Sequence, residues 1–133
     1  MTGLVLKLAP HERVLINGAV IENGDRRARI SIRTPDVNIL RLRDAIHPEQ
    51  ATTPVSRACY EAQLVLSGDR VAADGRRIML GNLEQLSQVF DDRDSRILLS
   101  EATDSVLSDN FYRALRALRD LLPREARLLA VGR

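Results

Sequence analysis

The chain has 133 residues, 44% of them hydrophobic but only four aromatic, and 20 basic residues, 19 of them arginine, stand against 18 acidic ones. No apolar run approaches the ~18 residues of a membrane span, the N-terminus lacks a charged-then-apolar signal layout, and a single cysteine, Cys59, excludes an internal disulfide framework. With His11 and His47 the only histidines, no cluster has zinc-ligand spacing, so composition points to a soluble cytoplasmic protein with a core of Leu, Val, Ile and Ala and no metal.

Residues 1–46 carry strand signals. Leu4, Leu6 and Leu8 alternate with Val5 and Lys7, and after the Ala9-Pro10-His11 break Val14, Leu15 and Ile16 run into Asn17-Gly18, a tight-turn dipeptide. Val20 and Ile21 lead to a second turn at Asn23-Gly24-Asp25. In the next strand Ala28, Ile30 and Ile32 face one side, and Arg27, Arg29, Ser31 and Arg33 the other. Pro35 ends it, and Val37, Ile39 and Arg41 start a short further strand.

Residues 47–54 read as a linker between Pro48 and Pro54, with Thr53 as the N-cap of a first helix. The period then changes from two to 3.6. Val55, Ala58, Cys59, Ala62, Val65 and Leu66 form one stripe, and Ser67-Gly68-Asp69 stops it. Residues 68–79, polar and holding two glycines and three arginines, read as a loop. Leu83, Leu86 and Phe90 mark a second helix; Ile97, Leu98, Ala102 and Val106 mark a third. Ser108 or Asp109 caps a fourth, which packs through Phe111, Ala114, Leu115, Leu118, Leu121 and Leu122 and is kinked or restarted at Pro123. The expected fold is α+β: a small N-terminal antiparallel β-sheet or barrel over 1–46, the linker, then a bundle of about four helices over 55–133.

Catalytic constellations are missing from the sequence. No glycine-rich loop opens a helix with a phosphate-holding Lys, both histidines adjoin prolines in turns, and Asp91, Asp92 and Asp94 read as a helix-ending loop. No cofactor is expected, and Cys59 lies among apolar helical positions as a buried structural thiol. Two basic features remain. Arg27, Arg29 and Arg33 project from one face of a strand, where planar guanidinium groups can grip phosphates or stack on unpaired bases. Arg113, Arg116, Arg124 and Arg127 line one side of the last helix, a nucleic-acid or partner surface or simply its solvent side.

Three blocks in order resemble the FlbT family, flagellin regulators of alphaproteobacteria. They are Leu6-Lys7-Leu8-Ala9-Pro10-His11-Glu12-Arg13 continuing to Arg27, Ile46-His47-Pro48-Glu49-Gln50-Ala51-Thr52-Thr53-Pro54 with Arg57 and Tyr60, and Asn110-Phe111-Tyr112-Arg113-Ala114-Leu115-Arg116 to Arg119. The resemblance implies post-transcriptional control through the 5′ leader of flagellin messenger RNA, beside a second small regulator, FlaF, and with flagellin itself; members repress or promote. The first half alone, through Leu4-Val5-Leu6, Asn23-Gly24-Asp25 and Arg29-Ile30-Ser31-Ile32-Arg33, also resembles the carbon storage regulator family. That likeness implies RNA contacts at Leu4 and Arg41.

The expected function is therefore an RNA-binding regulator of flagellin synthesis, with Leu4, Arg13, Arg27, Arg29, Arg33 and Arg41 as candidate RNA contacts. The alternative is a protein-interaction module gripping flagellin or FlaF through Phe111, Tyr112, Arg113 and Arg116, with an indirect effect on the message. A homo-oligomer is compatible with either.

Overall fold

The computed structural model describes residues 4–17, 19–35, 37–42 and 45–131. Strand β1 (Leu4–Leu8) pairs antiparallel with β4 (Ala28–Ile32), placing Leu4 opposite Ile32, Lys7 opposite Arg29 and Leu8 opposite Ala28. A second sheet has the order β3-β2-β5, from Ala19–Glu22, Arg13–Ile16 and Ile39–Arg41. The β2–β3 turn includes Gly18, which lies outside the described residues.

The two sheets and the helices form three layers. Leu6, Leu8, Val14 and Ile39 make a small core between the β1–β4 ribbon and the three-stranded sheet, with Ile16, Ile30, Ile32 and Val37 packed against it. Leu15 and Leu40, of opposite parity, join the helical core instead. The middle sheet is thus apolar on both faces, which is why Val14-Leu15-Ile16 and Ile39-Leu40 are continuous apolar runs rather than alternating ones.

Helix α1 (Pro54–Leu66) opens as the sequence predicts. The Thr53 hydroxyl accepts from Ser56 N at 3.2 Å, the Ser56 hydroxyl accepts from Thr53 N at 2.9 Å, and Pro54 fills the first turn. The Glu125 carboxylate, from the far end of the chain, accepts from Val55 N at 2.9 Å and from the Thr53 hydroxyl, a favourable place for an anion. Gly68, at φ +85, takes the left-handed conformation beyond the end of α1.

Five helical expectations need correction. Residues 68–79 are not a loop throughout, because α2 runs Ala72–Ser87. Its Gly75 lies where α1 comes close: a Cβ there would collide with Cγ2 of Val65. The polarity that suggested a loop is spent in ion pairs, Arg70 with Glu61 at 2.6 Å and Arg76 with Asp109 at 2.8 Å. Phe90 is a core residue but follows α2 rather than belonging to it.

In α3 (Arg93–Leu107), capped by the Asp92 carboxylate on Ser95 N at 3.0 Å, Ile97 is exposed; Ser95, Leu99, Ala102, Ser105 and Val106 form the buried face. Helix α4 (Phe111–Val131) is capped by Asn110, whose Oδ1 accepts from Arg113 N at 3.1 Å, not by Ser108 or Asp109. It runs unbroken through Pro123, whose ring sits on the exposed side of the helix.

Candidate nucleic-acid interface

The parity that buries Leu6 and Leu8 turns Lys7 outward, and the parity that half-buries Ala28, Ile30 and Ile32 turns Arg29 and Ser31 the same way. Cross-strand pairing then sets Lys7 directly opposite Arg29. Arg27 and Arg33 extend the same alternation at the two ends of β4, and both are exposed. Lys7, Arg27 and Arg29, with Leu8, Ala9 and Ala28, line an open cleft of about 490 Å³.

Directly opposed like charges on a strand pair are destabilising, and among the described residues no anion pairs with these. Among the described residues none of Lys7, Arg27, Arg29 and Arg33 makes an ion pair, whereas Arg13, Arg41, Arg70, Arg76, Arg113 and Arg124 all do. The arrangement suits a polyanion laid along the ribbon, with the guanidinium planes also open to stacking.

The other candidates lie elsewhere. Arg41 reaches the largely buried Glu12 carboxylate with Nε at 2.7 Å and Nη2 at 2.9 Å, and donates to the Lys7 carbonyl. Glu12 also accepts from Ala9 N at 2.9 Å, so this pair ties β5, β1 and the turn between β1 and β2 together. Arg13, on the middle strand of the other sheet, pairs with Glu22 on its edge strand at 2.7 Å. Leu4 is 50% exposed at the start of β1, beyond the small core.

Of the helical set, Phe111 is only 2% exposed and belongs to the core, and Tyr112 is half-buried against it. Arg113 meets Glu101 at 3.5 Å, and Arg116 is exposed. Sequence reasoning missed Lys7. Its signal was present, a lone Lys out of phase with three leucines, but the pairing that brings it to Arg29 spans twenty residues or more and leaves no local trace.

Cys59 is fully buried, and burial pushes its thiol up to about 12. No described helix is long and apolar enough to cross a membrane.

Residues 4–129 match the family described as "Flagellar protein FlbT". The chain is 34% identical over 126 residues to the "Probable flagellum biosynthesis repressor protein FlbT" of Mesorhizobium japonicum, covering 95% of this chain and 84% of that one. It is likewise 34% identical over 127 residues to a protein of that name in Rhodopseudomonas palustris, covering 96% and 98%. A 71-residue stretch, 53% of this chain and 49% of the relative, is 38% identical to the "Flagellum biosynthesis repressor protein FlbT" of Caulobacter vibrioides. No solved structure matches the chain.

Proposed function

We propose, from the premise that the chain belongs to the FlbT family of flagellar proteins, that it represses flagellum biosynthesis after transcription, in the cytoplasm, by binding the 5′ leader of flagellin mRNA. The observation that carries this reading is the opposition of Lys7 and Arg29 on a ribbon face that also holds Arg27 and Arg33 and, among the described residues, no paired anion. A local rule broken without compensation marks a functional surface. Residues 1–46 contain no Phe, Tyr or Trp, so contact with bases on this face falls to guanidinium planes and specificity to a few placed charges.

The test is a salt titration of leader-RNA binding by the purified protein. Each lost phosphate contact lowers the slope by about 0.7 for single strands, and a charge-assisted contact is worth about 1.5–3 kcal/mol, a ten-fold loss or more. Arg29→Ala and Lys7→Ala should each show both effects. Arg41→Ala serves as the contrast, because Arg41 is engaged by Glu12: it should lower stability without the stepwise change in slope. Unchanged affinity and slope in the Arg29 and Lys7 variants would sink the assignment.

A second reading, docking of flagellin or FlaF on the helical half, draws on the tip of α4. There Leu128, Leu129 and Val131 are 43%, 49% and 83% exposed. An RNA shift seen only when such a partner is added would favour it.

A further inference from the structure

Strand β3 offers an unguarded edge. Asn23 N donates to Glu12 O at 2.9 Å, and antiparallel alternation from that pair bonds Ile21 and Ala19 to β2. The main-chain N–H and C=O groups of Val20 and Glu22 therefore point away from the sheet. All four residues of β3 are exposed, including Val20 at 62% and Ile21 at 39%. Edges are normally blunted by Pro, by Lys, by bulges or by a covering element. Ala19-Val20-Ile21-Glu22 has no proline, no cation and an unbroken register with β2.

We propose that this edge pairs antiparallel with the same edge of a second copy, forming a two-fold homodimer with the sheet order β5-β2-β3 continued into its mate. A two-fold axis normal to the sheet sets residues of like parity opposite one another, so either Val20 or Ile21 lies on the axis. With Ile21 on the axis, Val20 faces the partner's Glu22, and Glu22 faces the partner's Val20. All four outward main-chain groups on each side are then satisfied within the strand itself. The Ile21 side chain meets the partner's Ile21 on the face that continues Val14. The two Glu22 carboxylates stay at opposite ends of the pair, each already neutralised by an Arg13 at 2.7 Å.

With Val20 on the axis fewer bonds would form within β3. The edge is thus self-complementary in hydrogen bonding, apolar contact and charge, and an isologous pairing closes on itself. Four paired residues cover less than the ~1,200 Å² of a tight complex, so the dimer is a weak one. It is independent of the RNA reading.

Sedimentation equilibrium of the full chain, from micromolar to submillimolar concentration, should show reversible dimerisation, lost in Ile21→Lys, which opposes two cations on the axis. Ile21→Cys and Val20→Cys read the register. A non-hydrogen-bonded antiparallel pair holds its Cα atoms about 4.5 Å apart, within disulfide reach. Mild oxidation should therefore link Ile21→Cys into dimers much faster than Val20→Cys, while the buried Cys59 stays silent. Wild-type protein that is monomeric throughout, or Val20→Cys that cross-links as fast as Ile21→Cys, would overturn the proposal. Exposure of both side chains makes the variants compatible with folding, and the cross-linking arm decides even if Ile21→Lys does not fold.

Discussion

At Cys59 the protein stores a pH dependence in the alkaline range. Desolvation is the largest influence, the Arg119 charge opposes it and Glu125 adds to it, and the thiol rises from an ordinary value of 9.0 to about 12. Above pH 9 the unfolded chain loses this proton while the folded chain keeps it. Stability therefore falls as pH rises through that window, by about 1.4 kcal/mol per pH unit for this one group. Urea midpoints between pH 9 and pH 11 should decline in the native chain and decline less in Cys59→Ala, after correction for its lower starting stability. Equal slopes would show that the thiol ionises freely. The carboxylates Asp92 and Asp109 act at the other end of the scale. The Ser95 N–H, aided by Arg124, lowers Asp92, and Arg76 lowers Asp109, so what they contribute is present at neutral pH and lost in acid. Residue types made the buried thiol legible in the sequence: Cys59 keeps the spacing of Val55, Ala58 and Ala62. The ion pairs were not legible, since Arg76 with Asp109 and Arg41 with Glu12 each join segments about thirty residues apart.

Helix α2 carries a pair of glycines that separates propensity from packing. Gly75 has Val65 against the position of its missing Cβ, whereas nothing lies within 4 Å of that position at Gly81. Replacing an unhindered helical glycine by alanine stabilises by about 0.5–1 kcal/mol. Gly81→Ala should show that gain. Gly75→Ala should lose stability, by about 1–2 kcal/mol net, because Val65 is stiff at χ1 and overpacking outweighs the propensity gain. Thermal melts of the two variants should move in opposite directions; a shared direction would refute the close α1–α2 approach. The same contrast explains which elements the sequence revealed. Helix α1 was legible from its cap, its proline and its stripe, all local signals. The first turns of α2 were hidden, because Gly75 is there to serve a neighbour rather than to end a helix. At the start of α4, Asp109 takes a left-handed φ of 59 and turns its carboxylate to Arg76, leaving the cap to Asn110.

Across the whole molecule, the linker at 47–54 divides the sequence but not the core. Leu15 and Leu40 sit in one apolar cluster with Val55, Cys59, Leu66 and Leu115, and the Gln63 side chain bonds both Ile46 N at 2.8 Å and Ile46 O at 3.0 Å. The chain should therefore unfold in a single transition by both far-ultraviolet circular dichroism and tyrosine fluorescence, and a fragment ending at Pro54 should not fold alone. A folded fragment, or two transitions, would assign the strands their own stability. Strand content and helix number were legible because each depends on its own period. The layering was not, since one face of Val14-Leu15-Ile16 belongs to each of two cores and a continuous apolar run does not say what covers it. The candidate site was legible by halves. Arg27, Arg29 and Arg33 follow from strand parity, while Lys7 enters only through pairing.

The middle sheet has a consequence for the living chain, which is made in one direction. Synthesis at about 5–20 residues per second delivers β5 roughly 4–17 s before the last buried turn of α4. During that interval Leu15 and Leu40 have no lasting cover, and the open edge of β3 lies beside them. The sheet that carries the cationic ribbon therefore stays unsettled until the helices have been made, and a nascent chain stalled before α4 is at its most prone to associate wrongly.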